Sequence, residues 1–214
     1  MSNYEYIISS LPFLTADYKY DGGKGFADVL AEITRDLSKK DQEALRILLN
    51  GFNPKMLDAD FYAAALSMKD NFLREYFRFD LNLRNAKVRY LNRKLGREAG
   101  TDILTGEGKE EDHNLDIDGY RFHAGVFEEA SQVQAVLEGQ DLLKREKGLD
   151  DIVWEKIDSL TMFHYFDLTA VLGYVAKLHI VDRWLALDEE NGRELFRKLV
   201  NEVRGTFKGV NYKE

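Results

Sequence analysis

The sequence predicts an all-α, multi-helical protein, on three observations. Only two prolines, Pro12 and Pro54, occur in 214 residues, so long helices are permitted throughout the chain after residue 55. Apolar residues recur three and four positions apart through successive segments. Small polar residues precede several of these runs and glycines follow them, as caps do.

In chain order, Tyr4, Tyr6 and Ile8 alternate up to the Leu11-Pro12 break, which suits a short strand or the start of a helix. Gly22, Gly23 and Gly25 mark a turn before FADVLAEITRDL, where Phe26, Val29, Leu30 and Ile33 keep helical spacing. Ser38 is the expected cap of a helix that carries ALRILL and stops at Asn50-Gly51. Another helix is expected to start at Asp58 or Asp60. A long one covers residues 73–97, and further helical patterns fall around 124–139, 149–186 and 189–204, the last ending at Gly205.

Residues 98–119, EAGTDILTGEGKEEDHNLDIDG, are acidic and glycine-containing and read as a loop between an N-terminal unit, 1–97, and a C-terminal unit, 120–214. The units carry a faint echo: YFRFDL at 76–81 resembles FHYFDL at 163–168, with Val88 and Leu91 falling where Val175 and Leu178 fall. A duplication of one helical unit is the expectation, and the two units can also pack as one domain.

Composition excludes several classes of function. The 44% hydrophobic content suffices for a real core, and the formal net charge of -8 argues against a dedicated nucleic-acid binder. With no cysteine there are no disulfides, thiolate nucleophiles or cysteine-ligated metals, which fits a reducing cytoplasm. The start, MSNYEYIISSLPFL, has no export signal. The most apolar stretch, Leu160 to Leu187, is interrupted by His164, Asp167, Lys177, His179, Asp182 and Arg183 and is no membrane span.

Familiar ligand motifs fail on specific positions. Gly106-Glu107-Gly108-Lys109 approaches a phosphate loop, but Ile103 stands where the first glycine belongs and Glu110 where a Ser or Thr would hold magnesium. Asn114, Asp116, Asp118 and Gly119 imitate half a calcium loop, and Gly125 replaces the closing glutamate. Of the histidines His113, His123, His164 and His179, two have a carboxylate one turn away: His164 with Asp167, and His179 with Asp182. Those four residues define the alternative reading, a soluble metal-binding protein or enzyme; the plainer reading is local hydrogen bonding. His123 with Glu128 and Glu129 is read the same plain way. No catalytic residue and no cofactor is expected.

The segment YFRFDLNLRNAKVRYLNRKLGR, 76–97, sorts into stripes on a helix. Leu73, Phe77, Leu81, Val88, Leu91 and Leu95 make one apolar stripe; Tyr76, Phe79, Leu83, Ala86 and Tyr90 make a second. Asp80 and Arg84 lie between or within them in the favourable order for a helical ion pair. A third line carries Arg78, Asn82, Asn85, Arg89 and Arg93 without an acid. It either faces solvent, pairs with acids such as those at Asp188 to Glu190, or receives an acidic partner protein.

The segments FLREYFRFDLNLRNAKVRYLNRKLGR, YVAKLHIVDRWLALDEENGRELFRKLV and NYEYIISSLPFL resemble a family of small bacterial proteins associated with V-type ATPases. That family is similar in turn to the V-type ATPase C subunit, called d in eukaryotes, mainly around Asp80, Asn82, Leu83 and Arg84. The resemblance implies a non-catalytic, funnel-like subunit that links the central stalk to the membrane rotor ring and transmits torque for ion transport. It also implies a cytoplasmic protein held peripherally at the inner face of the cell membrane through the complex. C subunits are longer and hold three helical units, whereas this chain has room for two.

Overall fold

A computed structural model describes residues 3–18, 20, 23–104 and 127–187. The expectations for residues 105–126 and 188–214, including the phosphate-loop and calcium-loop imitations, His113, His123, the acids at 188–190 and the helix at 189–204, lie outside them. The described residues are all-helical: α1 (Tyr4–Ser10), α2 (Phe26–Asp36), α3 (Lys39–Gly51), a 3-10 turn (Pro54–Met56), α4 (Ala59–Leu66), α5 (Asn71–Leu95), α6 (Ala130–Leu137), α7 (Leu142–Thr161) and α8 (Leu168–Leu185). No named strand occurs among them, only an isolated bridge between Leu14 and Tyr20. The alternation at Tyr4–Ile8 therefore belongs to a helix, whose first turn is capped by Asn3.

Most helix starts follow one device, a short polar side chain accepting an orphan backbone N–H three residues on. Ser38 caps α3, Asp58 caps α4, Asp70 caps α5, Asp141 caps α7 and Asp167 caps α8. The C-terminus of α5 is closed by Gly96, which takes a left-handed conformation (φ 64°) that places its N–H and that of Arg97 on the carbonyls of Arg93 and Asn92.

The 25-residue α5 is the central strut, and two cores grip it. Its first half sends Phe72, Leu73, Tyr76, Phe77 and Leu81 into the larger core with residues of α1 to α4 and of α7 and α8. A second face, from Phe79 through Leu83 and Ala86 to Tyr90, enters a smaller core with Phe127, α6 and α7. Gly51, at the end of α3, lies flat against Phe77: a Cβ there would stand 2.3 Å from the ring. The two-sided grip follows the stripe pattern except at Tyr76, which packs in the larger core rather than with Phe79 and Leu83, and at the far end, where Leu91 and Leu95 are exposed.

Helices α5 and α7 run antiparallel, because Lys156 sits over the Phe79 ring and Arg145 over the Tyr90 ring. Helix α8 folds back on α7 as a hairpin, with Gly173 against Thr161 near the turn and Arg183 and Trp184 against Asp150 towards the other end. The continuous pattern expected over 149–186 is thus two helices. The break falls at 162–167, where Asp167 caps the second.

That break separates the two echoing segments in structure. YFRFDL lies inside α5, whereas FHYFDL forms the turn between α7 and α8. Similar letters serve unlike purposes, and residues from both sides of the 98–119 boundary share the larger core, Tyr18 with Trp154 and Phe77 with Leu172 among them.

Residues 11–18 cross α7 and α8. Tyr174 donates its hydroxyl to the Pro12 carbonyl at 2.8 Å, and Tyr18 donates to Oδ1 of Asp151 at 2.6 Å. Tyr18 is buried at φ 61°, an unfavourable backbone for a side chain with a Cβ. Stacking on Trp184 and contact with Trp154 hold it there.

Candidate docking site

The polar groups of α5 resolve into internal fastenings. Oδ2 of Asp80 accepts from the Tyr62 hydroxyl at 2.6 Å, joining α5 to α4. The expected ion pair between Asp80 and Arg84 does not form. Arg84 instead donates to the Asp102 carbonyl at 3.3 Å and weakly to Asn85. Withdrawing a guanidinium from water costs more than the partly buried carboxylate returns when a hydroxyl already satisfies it. Burial pushes the Asp80 carboxyl above the usual carboxylate range; the Tyr62 hydrogen bond and the nearby Lys87 and Arg84 only oppose the shift.

The line Arg78, Asn82, Asn85, Arg89 and Arg93 is not a free docking face. Asn82 and Asn85 are buried. Asn85 grips the backbone of Leu104 from both sides, Nδ2 donating to its carbonyl at 2.8 Å and Oδ1 accepting from its N–H at 3.1 Å. About two turns further on, Asn92 donates to the Thr101 carbonyl at 2.7 Å. Residues 99–104 are therefore strapped back along α5, the amide side chains replacing water for a backbone that has no sheet or helix to satisfy it. The arginines are engaged at close range: Arg78 with Glu75 on its own helix at 3.1 Å, and Arg93 with Glu138 of α6 at 3.6 Å. Arg89 is partly buried and also engaged. The helical wheel shows which side chains share a line but not what crosses that line.

The four residues of the metal-site alternative do not converge. Nδ1 of His164 lies 2.5 Å from Oδ2 of Asp167 in the α7–α8 turn, while the other Asp167 oxygen caps α8. His179, about three turns into α8, is stacked face to face on Phe52 at 4.1 Å with Phe26 at its edge. Burial and the neighbouring Arg183 lower its pKa, which keeps the ring neutral. Asp182 is exposed. Among the described residues no three His, Cys, Asp or Glu side chains group as a metal site needs.

A different feature is prominent. The α7–α8 turn exposes four large apolar side chains within five residues: Met162 at 61%, Phe163 at 83%, Tyr165 at 68% and Phe166 at 57%. The stretch reads in sequence as helical continuation, and only the capping role of Asp167 would have exposed it as a tip. The turn is tightly held. His164 donates its backbone N–H to the Thr161 carbonyl at 2.9 Å, and the Thr161 hydroxyl donates to the Ile157 carbonyl at 2.8 Å. At the opposite end of α7, Leu142 and Leu143 are exposed, as are Leu91 and Leu95 in the last turns of the antiparallel α5. The 20 residues of α7 put about 30 Å between the two ends.

Fold and exposed features define an all-helical protein with an internally fastened strut and apolar side chains displayed at both ends. The chain belongs to the family described as a protein of unknown function (DUF2764), whose model matches residues 53–206. No curated protein and no solved structure matches it.

Proposed function

We propose that the protein is a non-catalytic subunit of a V-type ATPase, joining the central stalk to the membrane rotor ring and transmitting torque. The carrying observation is the two-ended display: leucines at one end of the α5–α7 pair and aromatics at the other, on helices anchored in two cores. A coupling element needs two attachment surfaces and a stiff path between them. The path here is continuous helix, fixed by the Tyr62–Asp80 bond, the Arg93–Glu138 pair and the contact of Asp150 with Arg183 and Trp184. Large contiguous exposed apolar groups in a folded protein mark interaction sites. The all-helical fold agrees with the resemblance to the C subunit, and the identity of the complex rests on that resemblance. No described helix is long and apolar enough to cross a membrane, so attachment to a rotor ring would be through protein contacts.

The test is co-expression with the central-stalk and rotor-ring subunits of the same organism's V-type ATPase, followed by size-exclusion chromatography at moderate salt. Co-elution is the expected result. A chain that elutes alone while the other subunits assemble normally would overturn the assignment.

A further inference from the structure

We infer that Tyr18 is a displaceable plug: its ring fills a preformed socket on α7 and α8 that binds a neutral phenol, and the turn from Thr15 to Tyr18 lifts to admit another one. The inference goes beyond the reading of the chain as an ATPase subunit and does not depend on it.

Three observations carry it. The first is the chemistry of the socket, which the plug itself reports. The Tyr18 ring is stacked on Trp184, with 5.5 Å between centroids, and tilted against Trp154 at 5.7 Å, while Nζ of Lys147 stands 5.0 Å from its centre. Its hydroxyl donates to Oδ1 of Asp151 at 2.6 Å. An apolar slot with one well-placed acceptor is what orients a small ligand group. Burial, and then the Asp151 and Asp150 carboxylates, push the phenol well above its usual pKa, so the neutral ring fits and a phenolate or a phosphorylated ring does not.

The second is that the socket keeps its shape without the plug. The Trp184 indole N–H donates to Oδ2 of Asp150 at 2.6 Å, and Oδ1 of Asp150 takes Arg183. Nζ of Lys177 stands 4.8 Å from the centre of the Trp154 ring, and Lys147 meets both oxygens of Asp151 at 2.8 and 2.9 Å. Lifting Tyr18 therefore strands neither carboxylate, which removes the main penalty for opening a buried contact.

The third is strain in the plug. Tyr18 sits at φ 61°, in the left-handed region that a residue with a Cβ adopts at a cost. Its N–H is tied to the Thr15 carbonyl at 3.0 Å, within its own turn. The backbone thus favours release while the ring favours insertion, and a phenol free of that strain competes on better terms.

The experiment uses the full chain, with p-cresol, the tyrosine side chain alone, as the probe and its O-methyl ether, which cannot donate, as the control. Tyr18→Gly empties the socket and accepts the left-handed backbone. In this variant p-cresol should raise the urea midpoint in a saturable way, acting at a concentration about tenfold or more below the ether, as loss of a hydrogen bond to a charged acceptor requires. In a chain with fluorotyrosine in place of Tyr18, p-cresol should convert the fluorine resonance of a buried ring into that of a solvent-exposed one. Displacement by N-acetyltyrosinamide as well would assign the ligand to a tyrosine of another protein, and displacement by p-cresol alone to a free phenol. A buried resonance that persists to the solubility limit of p-cresol, or equal action by the ether, would overturn the plug. The fluorinated chain decides the matter by itself where Tyr18→Gly fails to fold.

Discussion

Tyr62 and Asp80 form a hydroxyl–carboxylate contact of 2.6 Å between α4 and α5, with the tyrosine fully buried. The carboxyl is held above its ordinary pKa by burial, and the hydroxyl is what remains of its solvation. Tyr62→Phe removes the donor and leaves a desolvated acceptor. The expected cost is ~1–3 kcal/mol, read by urea denaturation at pH 7. An unchanged midpoint would show that water replaces the hydroxyl.

The same carboxyl gives a pH dependence of defined sign. A folded-state pKa above the unfolded one means that the folded protein binds the proton more tightly, so this group's contribution is full below the unfolded pKa. It declines as pH rises from the unfolded towards the folded value. Asp80→Asn keeps an acceptor for Tyr62 and cannot ionise. The stability of the wild type relative to Asp80→Asn should therefore fall as pH rises above about 4. A relative stability that rises over that range would contradict the burial argument.

Arg84 and Asp80, one helical turn apart, make no ion pair in the structure, although the guanidinium still acts on the carboxyl through space. Arg84→Met and Asp80→Asn should couple by less than about 1 kcal/mol in a double-mutant cycle, as a through-space attraction without contact does. A larger coupling would mean that the two charges meet after all.

Asn85 holds Leu104 through both backbone groups. Asn85→Ala should cost ~1–3 kcal/mol and expose the Leu104 amide to rapid hydrogen exchange, while Tyr62 and its neighbours in α4 keep their protection. Protection retained at Leu104 would show that the strap is held by something else.

Gly173 is the close-packing point of the α7–α8 hairpin. Gly173→Ala should destabilise by ~1–3 kcal/mol through overpacking against Thr161. Thr161→Ser, which deletes the opposing methyl and keeps the hydroxyl bond to Ile157, should restore part of the loss. Absence of rescue would place the strain elsewhere.

The helical class was legible because it is written locally, in Ser38, Asp58 and the glycine at position 51, whose signals depend on neighbours three or four residues away. The two-sided burial of α5 was legible for the same reason. The fate of its polar line was not. Asn82 and Asn85 look like surface residues on a wheel, and only the return of residues 99–104 across the helix turns one of them into a backbone clamp. The ion pair at 80 and 84 failed similarly, since a tyrosine eighteen positions away took the carboxylate. The aromatic tip was hidden by its own composition: TMFHYFDL continues the apolar pattern of α7, and Asp167 was read as a partner for His164, although its other oxygen starts a helix. Exposure is a property of the assembled hairpin and has no local signature.

Tyr18 touches both Trp154 and Trp184, and the chain contains no other tryptophan. The entire indole emission of the protein consequently originates beside one strained residue of the N-terminal crossing. A fluorescence change on heating, on dilution or on mixing with another subunit would report first whether that crossing is seated on α7 and α8, and only through it the state of the rest. The molecule has a built-in optical gauge at the place where the crossing around Tyr18 meets its last described helices.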